Sequence, residues 1–441
     1  MFLPKSVLLC MQALEQAGFE AFAVGGCVRD SLLGLTPHDY DLCTNALPAE
    51  TAALFPGYTL VRSGEKHGTI GVVVEGEVIE ITTFRTEGGY QDSRHPDWVR
   101  FVSSIEEDLS RRDFTVNAMA YNPVCGYVDP FGGKDDLQNK ILRTVGDPQA
   151  RFSEDALRIL RGVRFGVRFR LTAESATLQA MRALAPLMDK LARERVFDEL
   201  CKLLPLVKAK DLLTYSDILT QVVPPLAPCV GFEQRNPHHK YDVYTHTAQV
   251  VDSVPGDLAI RWAALLHDCG KPDTFFLDEN GRGHFHGHAK ISAEKADALL
   301  LSLKAPTALR ERVVFLIAHH MTELTADKKL LRRRLGKYGV EATFQLLALQ
   351  EADLSGKGTE EENEVFAQVR CLMEEILAEK ACLTVQDLAL DGRDLLALGF
   401  PADKILGRCL SYLLEQVQDE VIPNEKAALL ERANAFLQGN C

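Results

Sequence analysis

The chain has 441 residues, more than one compact core absorbs, so three or four domains are expected. Apolar residues make up 46% and charged residues 25%, the balance of a soluble globular protein, while a net charge of −13 argues against a generic polyanion-binding surface. Eleven cysteines without paired spacing suit free thiols in a reducing cytoplasm and not a disulfide framework, and no apolar run approaches membrane-spanning length.

Residues 1–20, MFLPKSVLLCMQALEQAGFE, read as an amphipathic helix. The stretch turns acidic and lacks the small-residue cleavage site of a signal peptide. The apolar run AFAV then leads into Gly25-Gly26 and a helical VRDSLLG. HDYDLCT (38–44) reads as a strand if Tyr40 and Leu42 face a core. GTIGVVVEGEVIEITTF (68–84) is a β-hairpin closed by a Glu-Gly turn. The polar 85–101 segment, RTEGGYQDSRHPDWVRF, is expected to be a mobile loop. From Asp147 to Pro205 the pattern is helical, and Arg143 to Arg170 holds seven arginines against three carboxylates. An acidic protein with one such basic segment can bind a polyanion there. A Pro-rich break at 222–237 marks a boundary, residues 238–356 are helical and rich in histidine, and SGKGTEEENE (355–364) is a surface connection before further helix to Cys441. No internal repeat or low-complexity tract is present.

Asp39 and Asp41 lie one residue apart. In a strand their side chains project to the same side, where two carboxylates repel and each resists ionisation. A divalent cation removes that conflict, and hard oxygen ligands with room for water and phosphate favour Mg²⁺. The turn just upstream suits the anion such a cation accompanies. Glycines at 25 and 26 let backbone N–H groups approach phosphate oxygens, a helix start adds partial positive charge, and Arg29 offers a guanidinium fork. Glu80, a strand carboxylate in VIEITTF, is equally a candidate third ligand and a structural residue.

GGCVRDSLLG followed by HDYDLCT resembles the signature of the polymerase-β-like nucleotidyltransferases. RRDFTVNAMA (111–120) and EDALRILRGVRF (154–165) narrow the resemblance to the class II tRNA nucleotidyltransferases, which comprise CCA-adding enzymes and bacterial poly(A) polymerases. The motifs run in order from about residue 20 to 205, and LDGRDLLALGFP and VIPNEKAALLERA resemble the family's tail. The resemblance implies an α+β chain. A nucleotidyltransferase head with a mixed sheet (1–146) precedes an all-α neck (147–225), a helical metal-binding body (226–356) and a helical tRNA-binding tail (357–441). It implies that Asp39 and Asp41 hold Mg²⁺ and that Gly25, Gly26 and Arg29 meet the triphosphate. Arg112, Asp113 and Asn117 would recognise the ribose and phosphates. Glu154, Asp155 and Arg158 match E-D-x-x-R, whose Asp and Arg act as a protein template for C and A. Arg161 and Arg164 match further nucleotide contacts. Arg195 and Glu199 match a motif bracing that helix, at the i, i+4 spacing of an ion pair.

A protein template is chemically reasonable. The pairing edges of cytosine and adenine each place a donor beside an acceptor, which an acceptor-only carboxylate and a donor-only guanidinium complement. Guanine and uracil present the opposite order and leave groups unpaired. On one continuous helix Asp155 and Arg158 are neighbours. Steps of three drift by about 60° each, so Arg164 falls nearly opposite Asp155 and reaches the same nucleotide only if the helix bends.

Nine of the twelve histidines lie between 238 and 320. YDVYTHT, ALLHDCGK, HFHGHAK, IAHHM and LQEADLSG resemble the HD-domain metal phosphohydrolases, with His246, His267, Asp268 and Asp353 as the core match. His288 and one of the pair 319–320, here assigned to His319, resemble the extra ligands of two-metal versions. His284 and His286 lie in the same stretch. The resemblance implies a second divalent-metal site able to hydrolyse phosphomonoesters or 2′,3′-cyclic phosphates, or a vestigial domain.

The whole implies CCA addition to tRNA from CTP and ATP, with pyrophosphate released, in a cytoplasmic monomer or homodimer with no membrane partner. Poly(A) synthesis by the same scaffold, hydrolysis of RNA ends by the HD site, and non-catalytic RNA binding are the alternatives. The 85–101 segment resembles the family's flexible element for the switch from C to A, and together with a tail at 380–441 it favours CCA addition.

Overall fold

Two adjacent residues with positive φ, Glu75 (52°) and Gly76 (87°), fold the β-branched run back on itself between β4 (Thr69–Val74) and β5 (Glu77–Thr83). Such a pair of left-handed residues suits a two-residue hairpin turn whose twist matches that of the strands. The computed structural model describes residues 1–88, 98–357 and 364–439. The centre of the expected 85–101 loop and most of the 355–364 connection fall outside the described residues. The chain forms two units, residues 1–207 with 214–224, and 208–213 with 225–441, so the main division falls in the Pro-rich break.

In the first unit, β1 (Ala21–Val24), β2 (Asp41–Thr44), β3 (Thr59–Val61), β8 (Ala120–Asn122) and β9 (Gly126–Val128) join the hairpin in a seven-stranded sheet. Its order is β3-β4-β5-β2-β1-β8-β9. Only β2 and β5 run parallel, which makes the sheet mixed, as expected. A separate short pair, β6 (Arg85–Gly88) and β7 (Trp98–Phe101), is antiparallel. Helix α1 (Lys5–Gln16) buries Val7, Cys10, Met11 and Leu14 at helical spacing, against β1, β2 and β5. Helices α2 (Gly26–Leu32), α3 (Pro48–Ala53), α4 (Ile105–Ser110) and α5 (Gly133–Gln138) complete the sheet-bearing part. Ile105 and Leu109 of α4 pack with Phe22, Val24, Phe84 and Ala120 into its core.

Helix follows, but not as one rod. Asp147 caps α6 (Pro148–Glu154) with its side chain on the Ala150 N–H, and Pro148 occupies the first turn, where its missing donor costs nothing. The chain leaves helical geometry at Asp155 (φ −144°, ψ 103°) and re-enters it as α7 (Leu157–Phe169). Asp155 therefore does not share a helix with Arg158. Its short carboxylate instead accepts from the Leu157 N–H at 3.0 Å, the local bond that favours Asp at helix starts. The two-residue strands β10 (Ile141–Leu142) and β11 (Thr172–Ala173) pair in parallel, and α8 (Ser175–Leu184) and α9 (Arg193–Leu203) pack on α6 and α7 respectively.

The second unit is almost wholly helical. After α10 (Ala209–Thr214), and past α11 (Ser216–Val222), which belongs to the first unit, come α12 (Val243–Ser253), α13 (Leu258–Leu266), α14 (Lys271–Thr274), α15 (His288–Ser302), α16 (Thr307–His319), α17 (Lys328–Tyr338) and α18 (Val340–Gly356). A small hairpin, β12 (Phe276–Leu277) with β13 (Gly283–His284), interrupts them. Helices α19 (Glu364–Ala378), α20 (Gly392–Ala397), α21 (Lys404–Gln418) and α22 (Lys426–Leu437) follow, the last three around Leu395, Phe400, Cys409, Leu413 and Leu429. Among the described residues, every cysteine is free and no helix is long and apolar enough to cross a membrane.

One buried charge organises the first unit. Asp108, fully buried on α4, accepts from Arg111 Nη2 at 2.8 Å, Arg112 Nη2 at 3.3 Å and the Arg85 N–H at 3.2 Å. Burial alone would raise its pKa, but Arg111 and Arg112 outweigh it and hold the carboxyl below its ordinary value. A depressed carboxyl contributes stability above its unfolded pKa of about 4 and loses it as pH falls through the folded value. Asp108→Asn is therefore expected to lower stability by about 3 kcal/mol at pH 7. The gap from wild type should close below about pH 4, read as urea midpoints across pH.

Candidate active site

Register places the glycine turn beside the aspartates. Val24 pairs with Asp41, so the Gly25-Gly26 turn after β1 lies at the end of the sheet where β2 begins. Asp39 lies just ahead of the strand, so the strand alternation expected for the pair does not operate. Both nevertheless line one cleft of about 560 Å³ with Gly25, Gly26 and Arg29. On β5 the parallel partner of Asp41 is Glu80, which is not among the cleft's lining residues. Desolvation, then Asp39 and then Glu80 push the Asp41 carboxyl up to about 6 against the pull of Arg112. An oxygen-only set that resists its own negative charge fits a hard divalent cation.

Gly25 is required by its backbone: its φ is +73°, and a Cβ there would also have to displace Arg112 Nη1, 2.8 Å away. Its N–H donates to the Met119 carbonyl at 3.0 Å, so that amide is not available to a phosphate. Arg29 also lines the cleft, but its Nε and Nη2 are held by Asp30 at 2.8 and 2.6 Å. Its Nη1 donates to Asn117 Oδ1 at 2.5 Å.

The rest of the expected set converges on the same cleft, which Arg112, Asp113, Asn117, Asp155, Arg158, Arg161 and Arg164 all line. Asn117 passes its amide to Asp113 at 3.1 Å, and Asp113 Oδ2 takes Arg161 Nε at 2.9 Å. Burial would raise the Asp113 carboxyl, but Arg161 and Asn117 reverse the effect and hold it low. Arg164 lines the cleft together with Asp155: the chain breaks at Asp155, so the two do not share the continuous helix on which they would lie nearly opposite.

The expected Arg195–Glu199 ion pair does not form. Arg195 Nη2 reaches Asp155 Oδ2 at 2.8 Å, while Glu199 holds Arg164 at 2.6 Å and lies 3.7 Å from Arg161. Side chains with partners on other elements choose them over their own helix, where such a pair is worth only about 0.3–0.5 kcal/mol. Arg158 binds Glu154 at 2.6 Å and not Asp155. Five further lining residues escaped the sequence reading as site residues: Arg111, Leu157, Phe165, Arg168 and Arg195. Arg168 was legible, since seven positions from Arg161 is two helical turns. Phe165 carried no such signal. Its ring lies under Arg164 (4.4 Å), Arg161 (5.1 Å) and Arg29 (5.4 Å), which spaces like charges by cation–π contact.

The second unit brings most of its expected set together. His246 Nε2 lies 2.9 Å from Asp353 and 3.3 Å from Asp268, and His267 Nε2 lies 3.2 Å from Asp268. His288 Nε2 lies 3.3 Å from Asp268 and 3.1 Å from His320 Nε2. The sixth member is His320 and not the expected His319. His319 ends α16 with its ring against Phe315 and Tyr338 and its Nδ1 near Thr322, turned by its neighbouring position to another face. The donor atoms fall into two overlapping groups, His246–His267–Asp268–Asp353 and Asp268–His288–His320, with Asp268 in both.

The tautomers test whether a metal fits. His267, His288 and His320 each give Nδ1–H to a backbone carbonyl, of Ala264, Phe285 and Ile317, at 2.7–2.8 Å. That fixes their Nε2 lone pairs toward the centre. His288 and His320 then face each other with two lone pairs, and His267 Nε2 makes no hydrogen bond although buried. Burial disfavours a charged imidazole at His267, while Asp268 and Asp353 act the other way and raise its pKa, so the two carboxylates favour a positive charge at the centre. Mixed imidazole and carboxylate donors of this kind fit divalent transition metals.

Comparison with known proteins places the chain. The sequence model of the Poly A polymerase head domain matches residues 21–143. That of the probable RNA and SrmB-binding site of polymerase A matches 170–229, and that of tRNA nucleotidyltransferase domain 2 (putative) matches 284–433, running across the expected body–tail boundary. The CCA-adding enzyme of Levilactobacillus brevis is 37% identical over 426 residues, covering 95% of each chain. That of Streptococcus mutans is 33% identical over 437 residues, covering 97% of this chain and 96% of its own. The crystal structure of the Bacillus stearothermophilus CCA-adding enzyme in complex with CTP superposes with a TM-score of 0.73 at 28% identity, covering 100% of both chains. Near-full-length identity of this size, on a scaffold that gathers the signature residues in one cleft, means that the chain belongs to the CCA-adding enzymes of the class II tRNA nucleotidyltransferase family.

Proposed function

We propose that the cleft of the first unit adds C, C and A in turn to the 3′ end of tRNA, from CTP and ATP and without a nucleic-acid template. The 3′-hydroxyl oxygen forms a bond to the α-phosphorus, the bridge to the β-phosphate breaks, pyrophosphate leaves and the hydroxyl proton passes to water. A Mg²⁺ held by Asp39 and Asp41 supplies charge neutralisation for the triphosphate and the attacking oxygen. The chain's own residues position and discriminate. Arg112, Arg161, Arg164 and Arg168 face the triphosphate, and Asp113 and Glu199 hold Arg161 and Arg164 in place. Asp155 and Arg158 meet the base, the carboxylate oriented by Arg195 and the guanidinium by Glu154. In this reading residues 1–146 and 147–225 do the chemistry, 226–356 carry the second metal site and 357–441 grip the tRNA.

The observation that carries the reading is the convergence of the aspartates, the glycine turn and the Asp155/Arg158 pair on one cleft. For the second unit the facing imidazoles favour a metal-dependent phosphohydrolase, in which water adds to phosphorus, the ester P–O bond breaks and the alkoxide leaves with a proton.

The test supplies tRNA lacking its 3′ end with each nucleoside triphosphate. Wild type is expected to stop after C, C, A, and a long A tract would sink the assignment. Asp39→Ala with Asp41→Ala is expected to cut incorporation by at least about 10³-fold. Arg195→Ala should leave Asp155 unoriented and lower the ratio of CTP to UTP incorporation by about 10²-fold, an unchanged ratio counting against the template role. His267→Ala with Asp268→Ala is expected to remove the Mn²⁺ binding that persists in the Asp39→Ala, Asp41→Ala variant, measured by calorimetry, and in the otherwise wild-type chain to spare C addition within about twofold.

A further inference from the structure

The hairpin β12–β13 beside the histidine–aspartate cluster has no role in the reading above. The cavity next to the cluster holds about 220 Å³, below the roughly 300 Å³ at which ordinary small-molecule sites begin. It therefore takes the charged end of a ligand and leaves the remainder at its mouth. Its wall carries both signs: Lys357 and Asn236 line it with Asp268, Asp353 and Lys271, whose buried ammonium is held by Asp268 at 2.7 Å and Gln234 at 2.8 Å. A phosphoryl group suits such a wall when the donor set carries a metal, with Lys357 beside it.

The mouth is aromatic. His284 and His286 line it, and Phe276, 44% exposed, packs flat on His284 with ring centroids 5.3 Å apart and planes 23° apart. The His286 ring stacks on His284 at 5.7 Å and 24°. A second aromatic row, Phe232–Phe275–Phe285, supports them, and Phe285 lies 5.2 Å from the Lys271 ammonium. The rings are held in place. Asp278 Oδ2 bonds His284 Nε2 at 2.9 Å, while its other oxygen accepts the Asn280 and Arg282 N–H groups at 2.9 Å and closes the turn. Asn236 ties the hairpin to the cavity wall through the Gly283 carbonyl at 3.2 Å. His284 stacks near-parallel with both Phe276 and His286, whose own planes are 42° apart, and these rings at the mouth of a recess lined by Lys357 and the metal donors form a platform for a flat π-system joined to an anion.

We propose that Phe276, His284 and His286 form a base-stacking subsite, so that the second site takes a nucleotide phosphoester with an unpaired base. The base lies on the rings and the phosphate faces Lys357 and the cluster. This rests on the phosphohydrolase reading of the cluster. The ligand is either a free mononucleotide or the terminal nucleotide of an RNA end, which share this chemistry. Stacking of one base on such a ring is worth about tenfold in affinity.

The test uses the full chain with Mn²⁺ and two photoreactive probes, 2-azidoadenosine 5′-monophosphate and a short RNA ending in the same base. Irradiation and peptide mapping are expected to label residues 275–288, and Phe276→Ala should reduce that label about tenfold. Label confined to the first unit, or label in the hairpin that Phe276→Ala leaves unchanged, overturns the proposal. Labelling by the mononucleotide alone assigns the subsite to free nucleotides, and labelling by the RNA assigns it to RNA ends. Release of p-nitrophenol from p-nitrophenyl phosphate is read separately. If that hydrolysis is absent while the hairpin is labelled, the phosphohydrolase reading fails and the stacking subsite stands. If hydrolysis is present and the hairpin is unlabelled, only the subsite fails.

Discussion

The buried carboxylate of Asp113 is the contact on which the catalytic cleft depends. It accepts from Asn117, which in turn holds Arg29 behind the glycine turn, and on its other side it binds Arg161 of α7. Arg161 lies next to Glu199 of α9, and Glu199 holds Arg164. Signs alternate along the whole path. A cleft with this many guanidiniums repels itself, and interleaved acceptors keep it assembled before a triphosphate arrives. The same path joins the sheet-bearing part of the first unit to its helices, while Asp155 and Arg158 are held by separate pairs with Arg195 and Glu154.

The chain's two candidate metal sites resolve crowded negative charge differently. Asp39 and Asp41 are exposed to the cleft, and only oxygen is offered, which suits a labile hard cation that comes and goes with a phosphate ligand. The second cluster is buried, mixes imidazole with carboxylate, and has its rings locked by backbone carbonyls. Preset lone pairs of that kind favour a resident ion over a transient one.

Local chemistry was legible where one short stretch decides it. The Glu-Gly turn, the amphipathic first helix, the Pro-rich division and the glycine bend ahead of the aspartates each follow from neighbours in sequence. Most cleft residues were named through motif order. What failed was pairing. Arg195 was matched to Glu199 because their spacing suits an ion pair, Asp155 and Arg158 were placed on one continuous helix that in fact breaks between them, and His319 was taken where His320 stands.

The sequence by itself determined which residue types were present for nucleotidyl transfer and for a second metal site, because composition and spacing carry that chemistry. Only the tertiary structure decided the partners. The break at Asp155 takes that residue off the helix of Arg164, its carboxylate pairs with Arg195, and both Asp155 and Arg164 line the cleft. The position of His320 just past the end of α16 aims its ring at His288, while His319 faces Phe315 and Tyr338. The physical reason is common to both cases: an ion pair or ligand set between elements outweighs a weak pair along one helix, and one residue of helical rotation turns a side chain by about 100°.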